Sequence, residues 1–154
     1  MKTFIEIFDA QFRKIHERSC ELAALIPNEV LFSKPATAES YSCGEYLLRS
    51  AAAVEQTFGG ITVRLWDDPF EWTLPEELAT TDKIIRYLEE VELTRAKGFG
   101  YFLSDDDLAR EIPAPERLTS IFQLLLETIS RSEHFQGRAF AVFQMFSSAK
   151  LPGL

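Results

Sequence analysis

Apolar side chains return every three or four positions in four separate stretches of this chain, and no stretch alternates every second residue over the length of a strand. The first stretch predicts a helix over about 3–26, in which Phe4, Phe8, Phe12, Ile15, Leu22 and Ile26 form one stripe. Thr3 and Glu6 have the spacing of a capping box, and Pro27 lies just past the end. The second helix opens at Ser42, whose hydroxyl can cap the first turn while Glu45 reaches back, and its stripe is Leu47, Ser50, Val54, Phe58, Ile61 and Leu65.

The segment "WDDPFEWTLPEELA", residues 66–79, is too broken by prolines and acidic residues for a long helix and predicts a long, packed connection. A third helix over about 81–103 carries Ile84, Leu88, Val91, Phe99 and Phe102, with Gly98 and Gly100 loosening its last turns, and Ser104 can cap a short extra turn in "SDDDLARE". After "IPAP" a fourth helix is predicted over about 115–147, with Leu118, Phe122, Leu125, Ile129, Gln136, Phe140 and Phe143 on one stripe, roughly 50 Å if unbroken. Four helices of about 20 residues or more, joined by connections of about 15, predict an all-α antiparallel four-helix bundle, one domain over 1–154, with a long connection between helices 2 and 3. A second strip on the last helix, Ile121, Leu124, Thr128, Phe135, Ala139 and Val142, widens its apolar face and predicts a homodimer.

Composition narrows the function classes. A chain of 154 residues can bury about 70% of its unfolded surface without staples. No apolar run approaches the ~18 residues of a membrane span, and the start, "MKTFIEIFDAQF", lacks the uninterrupted apolar run of a secretory signal, so no membrane association is expected and a cytoplasmic location is. Cys20 and Cys43 have no CxxC spacing and read as free thiols. A net charge of -8 without a Lys/Arg cluster opposes nucleic-acid binding.

Candidate chemistry concentrates on the last helix. Ser132, Glu133 and Gln136 interrupt its apolar stripe, so they belong to an internal hydrogen-bond network or to the floor of a pocket, with Ser50 facing them. His134 falls on the opposite, charged face beside Glu127, Arg131 and Arg138. His16 and Cys20, one turn apart, read as an edge histidine and a half-buried thiol. "GFGYF" lacks the length and the Lys-Ser/Thr of a phosphate loop, and "FEWTL" reads as packing against the bundle, with a lid as the alternative. Neither histidine has a nearby nucleophile on a shared face, which opposes a Ser-His-Asp site.

Two segments carry a family resemblance over nearly the whole chain. "YSCGEYLLRSAAAVE" is similar to the second-helix start of the DinB/YfiT-like four-helix bundles, and "RSEHFQGRAFAVFQ" to their fourth-helix pattern HxxHHRGQ. That family comprises metalloenzymes, among them thiol-dependent S-transferases and maleylpyruvate isomerase relatives, in which one histidine of the second helix and two of the fourth bind a divalent metal. Anchoring on Gly137 places the two fourth-helix ligand positions at Arg131 and Phe135, and His134 on the adjacent, non-ligating histidine. Counting forward from Ser42 puts the second-helix position at Arg49, and counting back from Glu55 puts it at Ser50, which the periodicity favours because Ser50 shares the apolar stripe. Arg carries a fixed positive charge, Phe has no lone pair and a hydroxyl is a poor transition-metal ligand.

The resemblance therefore implies a divergent member that has lost the metal and expects no cofactor, acting as a small-molecule-binding or structural relative. Its pocket-lining candidates are Ser50, Arg131, Ser132, Glu133, Phe135 and Gln136. The alternative is a transferase or hydrolase that binds a divalent metal, Ni or Zn, through Glu133, His134 and Glu45. A third reading has Arg131 replacing the metal in holding a small anionic or thiol ligand.

Overall fold

A computed structural model describes residues 1–36, 40–69 and 77–153. Four long helices form the bundle: α1 (Thr3–Leu25), α3 (Cys43–Val63), α4 (Thr81–Phe99) and α5 (Ile121–Phe146); α2 (Asn28–Leu31) is a single turn after α1. Aromatic rings fill the centre, where Phe12 meets Phe58 edge-on at 5.6 Å and Phe99 at 5.8 Å, and Phe58 meets Phe99 at 5.5 Å. Gly98 admits this cluster, because a Cβ there would lie 2.8 Å from the Phe58 ring.

Pairings between helices fix their directions. Ser50 bonds Ser132 and Thr57 bonds Thr128, so α3 and α5 run antiparallel, and Thr81 at the start of α4 donates to the Ile26 carbonyl just past the end of α1 while Arg95 reaches Asp9, so α1 and α4 run antiparallel. Tyr87 reaches Glu55, while Phe58 lies against Phe99, so α3 and α4 run parallel. The expected all-α four-helix bundle is present, with α3–α5 and α1–α4 antiparallel and with α3–α4 and, through Phe8–Phe122, Gln11–Glu133 and Ile15–Gln136, α1–α5 parallel. A parallel pair needs a connection that carries the chain back along the bundle, about 30 Å for a 21-residue helix, which is the physical reason for the long segment before α4. The "FEWTL" part of it, residues 70–74, lies outside the described residues.

Several local expectations are corrected. The last helix begins at Ile121, not near residue 115, and its 26 residues give about 39 Å. Residues before it form a small antiparallel hairpin, β1 (Glu111–Pro113) and β2 (Leu118–Ser120), with Ile112 opposite Thr119 and both buried. Phe4 and Leu118, placed on buried stripes by periodicity, are 52% and 61% exposed. The second strip on α5 is buried within the chain at Ile121, Leu124, Thr128, Ala139 and Val142, so its width is accounted for by packing inside the bundle.

Caps set the helix ends. Ser42 accepts the Glu45 amide at 3.2 Å as expected, and Ser104 with Asp107 forms a capping box over a 3₁₀ turn, Asp105–Ala109. Thr3 does not cap α1; Asp105 does so from 100 residues away, its two carboxylate oxygens accepting the amides of Phe4 at 3.1 Å and Ile5 at 3.0 Å. Asp105→Ala is expected to cost about 1 kcal/mol, with Asp105→Asn losing less. Urea unfolding of the two variants measures it, and equal midpoints for Ala and wild type would remove the carboxylate from any capping role.

Candidate functional site

The polar residues that interrupt the α5 stripe are bonded to neighbouring helices. Ser50 and Ser132 bridge α3 and α5 reciprocally: their hydroxyls lie 2.8 Å apart, Ser50 donates to the Ser132 carbonyl at 2.8 Å, and Ser132 to the Ser50 carbonyl at 2.9 Å. Two turns along, Thr57 and Thr128 join their hydroxyls at 2.6 Å, and Thr128 also reaches the Leu124 carbonyl. The Gln136 amide donates to the Ile15 carbonyl at 2.7 Å and to Ser19 at 2.8 Å, while Gln11 of α1 donates to Glu133 at 2.8 Å. Of the two readings open from the sequence, the internal network describes Gln136 and Glu133, which fasten α5 to α1. Ser50 and Ser132 do border a cavity, but its volume of about 30 Å³ is the size of one or two water molecules.

Sequence reasoning missed the most buried charge. Arg95, 1% exposed, extends into the wall of that small cavity and donates to both Glu92 oxygens at 2.9 and 2.6 Å and to Asp9 at 2.6 Å. Its guanidinium stands 5.0 Å from the Phe99 ring centre. Burial alone would lower its pKa, and the two carboxylates outweigh that and raise it. The signal was present, since Arg95 stands in the α4 stripe four residues after Val91 and four before Phe99.

The thiols are inert by the same logic. Burial pushes Cys43 up to about 12, and burial with the charges of Glu89 and Glu92 pushes Cys20 up to about 11, so neither is a thiolate at neutral pH. Cys20 lies 3.7 Å from a nitrogen of His16, one turn away, as its spacing implied.

Two larger cavities open on the outer edge of the α3–α5 pair. The narrow one, about 150 Å³, is lined by Arg49, Ala52, Ala53, Gln56, Asp68, Arg131 and Phe135. The wide one, about 510 Å³, continues toward the hairpin past Thr57, Trp66, Pro115, Arg117, Thr119, Leu124, Glu127 and Thr128, again with Gln56 and Arg131 in its wall. The two are lobes of one groove. Gln56 holds the Trp66 carbonyl at 3.0 Å, and the indole lies on the α3 backbone at Gly60, where a Cβ would come within 2.3 Å of the ring. α3 then ends at Arg64 in the left-handed region, φ 60, with its guanidinium turned back onto the Gly60 and Ile61 carbonyls.

The candidate residues therefore separate into groups. Arg131 and Phe135 share the narrow lobe with Arg49; Ser50, favoured by periodicity as their counterpart, is interior and bonded to Ser132. His134 is exposed and accepts from Arg138 at 3.0 Å, on the solvated face that the rotation along the helix implies. Glu133 is taken up by Gln11 and Glu45 occupies the first turn of α3; among the described residues no three His, Cys, Asp or Glu side chains are grouped to hold a metal ion. Where the family resemblance places histidines, the lobe has Arg49, Arg131 and Phe135, and its oxygen donors are the single carboxylate of Asp68 and the Gln56 amide beside two fixed cations, a set that does not fit a divalent cation. No helix among the described residues is long and apolar enough to cross a membrane.

No family model matches the sequence, and no curated protein matches it. Among solved structures, a DinB-like protein, YjoA from Bacillus subtilis, superimposes with a TM-score of 0.74 at 18% sequence identity, covering 95% of each chain. With the same helical bundle over nearly its whole length, this chain has a DinB-like fold.

Proposed function

We propose that this protein is a DinB-like bundle without a catalytic metal, and that it works by binding a small molecule in the groove along α3 and α5. The observation that carries this reading is the grouping of Arg49, Arg131 and Phe135 around one lobe of that groove. Ligand sites are concave and use a few convergent polar groups on rigid elements, and this groove is built on two long helices locked together by buried serine and threonine pairs. The interior near Ser50 and Ser132 is too small to admit a substrate.

Metal content of protein purified without a histidine tag, before and after incubation with Ni²⁺ or Zn²⁺, tests the first half. The expected result is well below one metal per chain under every condition. Stoichiometric metal that disappears in Glu133→Ala or His134→Ala would establish the transferase or hydrolase alternative instead. For the second half, a thermal-shift screen of small anions and thiols is expected to yield stabilising compounds whose effect is lost in Arg131→Ala. An unchanged response in that variant would move the site away from the groove.

A further inference from the structure

Arg131 occupies the junction of the two lobes, since it and Gln56 line both. The other cations along the groove are engaged: Arg117 donates to Glu127 at 2.6 Å, and the Arg49 guanidinium lies 4.1 Å from the Tyr41 ring centre. No hydrogen bond or ion pair joins Arg131 to another described residue. On a chain of net charge -8, it leaves a local positive point inside a groove. On the wide side of that point the wall is flat and apolar at Trp66, whose ring is held against the helix backbone at Gly60.

Resting on the reading of this groove as the functional site, we infer that its ligand is a small organic carboxylate, with the charged end on Arg131 and a planar apolar body laid along Trp66 in the wide lobe. A guanidinium presents two parallel N–H groups that match a carboxylate. The wide lobe also contains Glu116 and Glu127 and the narrow lobe Asp68, so the Arg131 guanidinium at their junction offsets a single negative charge and disfavours the dianion of a phosphate ester. Trp66 supplies a rigid aromatic face, against which a flat ring gains contact with little ordering cost.

The chain has two tryptophans, so in a Trp72→Phe background the emission reports Trp66 alone. Titration with benzoate, benzamide and inorganic phosphate as probes is expected to give a saturable change with benzoate, binding about tenfold more tightly than benzamide, and no response to phosphate. Arg131→Ala should reduce benzoate to the level of benzamide, and Arg131→Lys should keep part of the difference. Equal binding of benzoate and benzamide, a preference that survives in Arg131→Ala, or tighter binding of phosphate overturns the carboxylate assignment and leaves the groove as a binding site. No saturable response to any of the three overturns the groove reading along with it.

Discussion

Arg95→Ala is expected to destabilise the protein by about 3 kcal/mol, the largest effect of any single charge removal in this chain. The guanidinium is 1% exposed and is the common partner of Asp9 and Glu92, which come from different helices. Removing it leaves two carboxylates facing each other across a cavity lined by Phe12 and Phe99. Those carboxylates are 26% and 19% exposed, so water can reach them, and this holds the loss to the lower end of the range for broken buried ion pairs. Arg95→Lys should lose about half as much, because an ammonium cannot serve both acids with a planar fork. The triple variant Asp9→Asn, Glu92→Gln, Arg95→Met is expected to recover most of the stability, since it removes the charges together and keeps the volume. Urea denaturation midpoints of the four proteins decide the matter; a triple variant no better than Arg95→Ala would show that packing, not charge pairing, sets the loss.

The second large effect is expected at Gly98, where alanine should cost about 2 kcal/mol although it is the better helix former by about 1 kcal/mol. The added methyl would lie 2.8 Å from a Phe58 ring carbon, and Phe58 cannot swing away because Phe12 and Phe99 hold it on other sides. A buried ring with fixed neighbours transmits the clash to the α3–α4 spacing. Phe58→Leu shortens the obstructing group, so Gly98→Ala with Phe58→Leu should lose less than the sum of the two single changes by about 1 kcal/mol or more. Additive losses in a double-mutant cycle would mean that the two positions do not press on each other.

These two sites also show what could be read without coordinates. Helix existence and phase were legible because large apolar residues such as Leu47, Phe58, Ile84, Leu88 and Phe143 keep a 3.6-residue period, and all five are buried. Arg95 keeps the same period, but a hydropathy reading passes over a charged residue, and only its partners on α1 and α4 make its burial tolerable. The hairpin escaped because three-residue strands are too short to establish alternation, and prolines at 113 and 115 read simply as a helix entry. Phe4 was misplaced because its turn of α1 overhangs the core, where it leans edge-on against Phe122 at 5.8 Å. At the site, rotation about the helix axis correctly put Ser50 inside and His134 outside. It could not find the groove, because Arg49 and Arg131 lie on the shoulders of their helices, between the inward and outward faces that periodicity distinguishes.

The carboxylate of Asp105 on the first turn of α1 bears on how the molecule comes into being on the ribosome. At roughly 5–20 residues per second, the first helix leaves the exit tunnel several seconds before the residue that closes its amino end has been synthesised. Its partners Arg95 and Gln136 arrive at about the same time or later. The amino-terminal helix is thus an early-made segment that must wait, amphipathic and uncapped, for the last two-thirds of the chain. Nascent chains halted shortly after residue 80 should leave its apolar stripe open to whatever holdase chaperone guards the tunnel mouth.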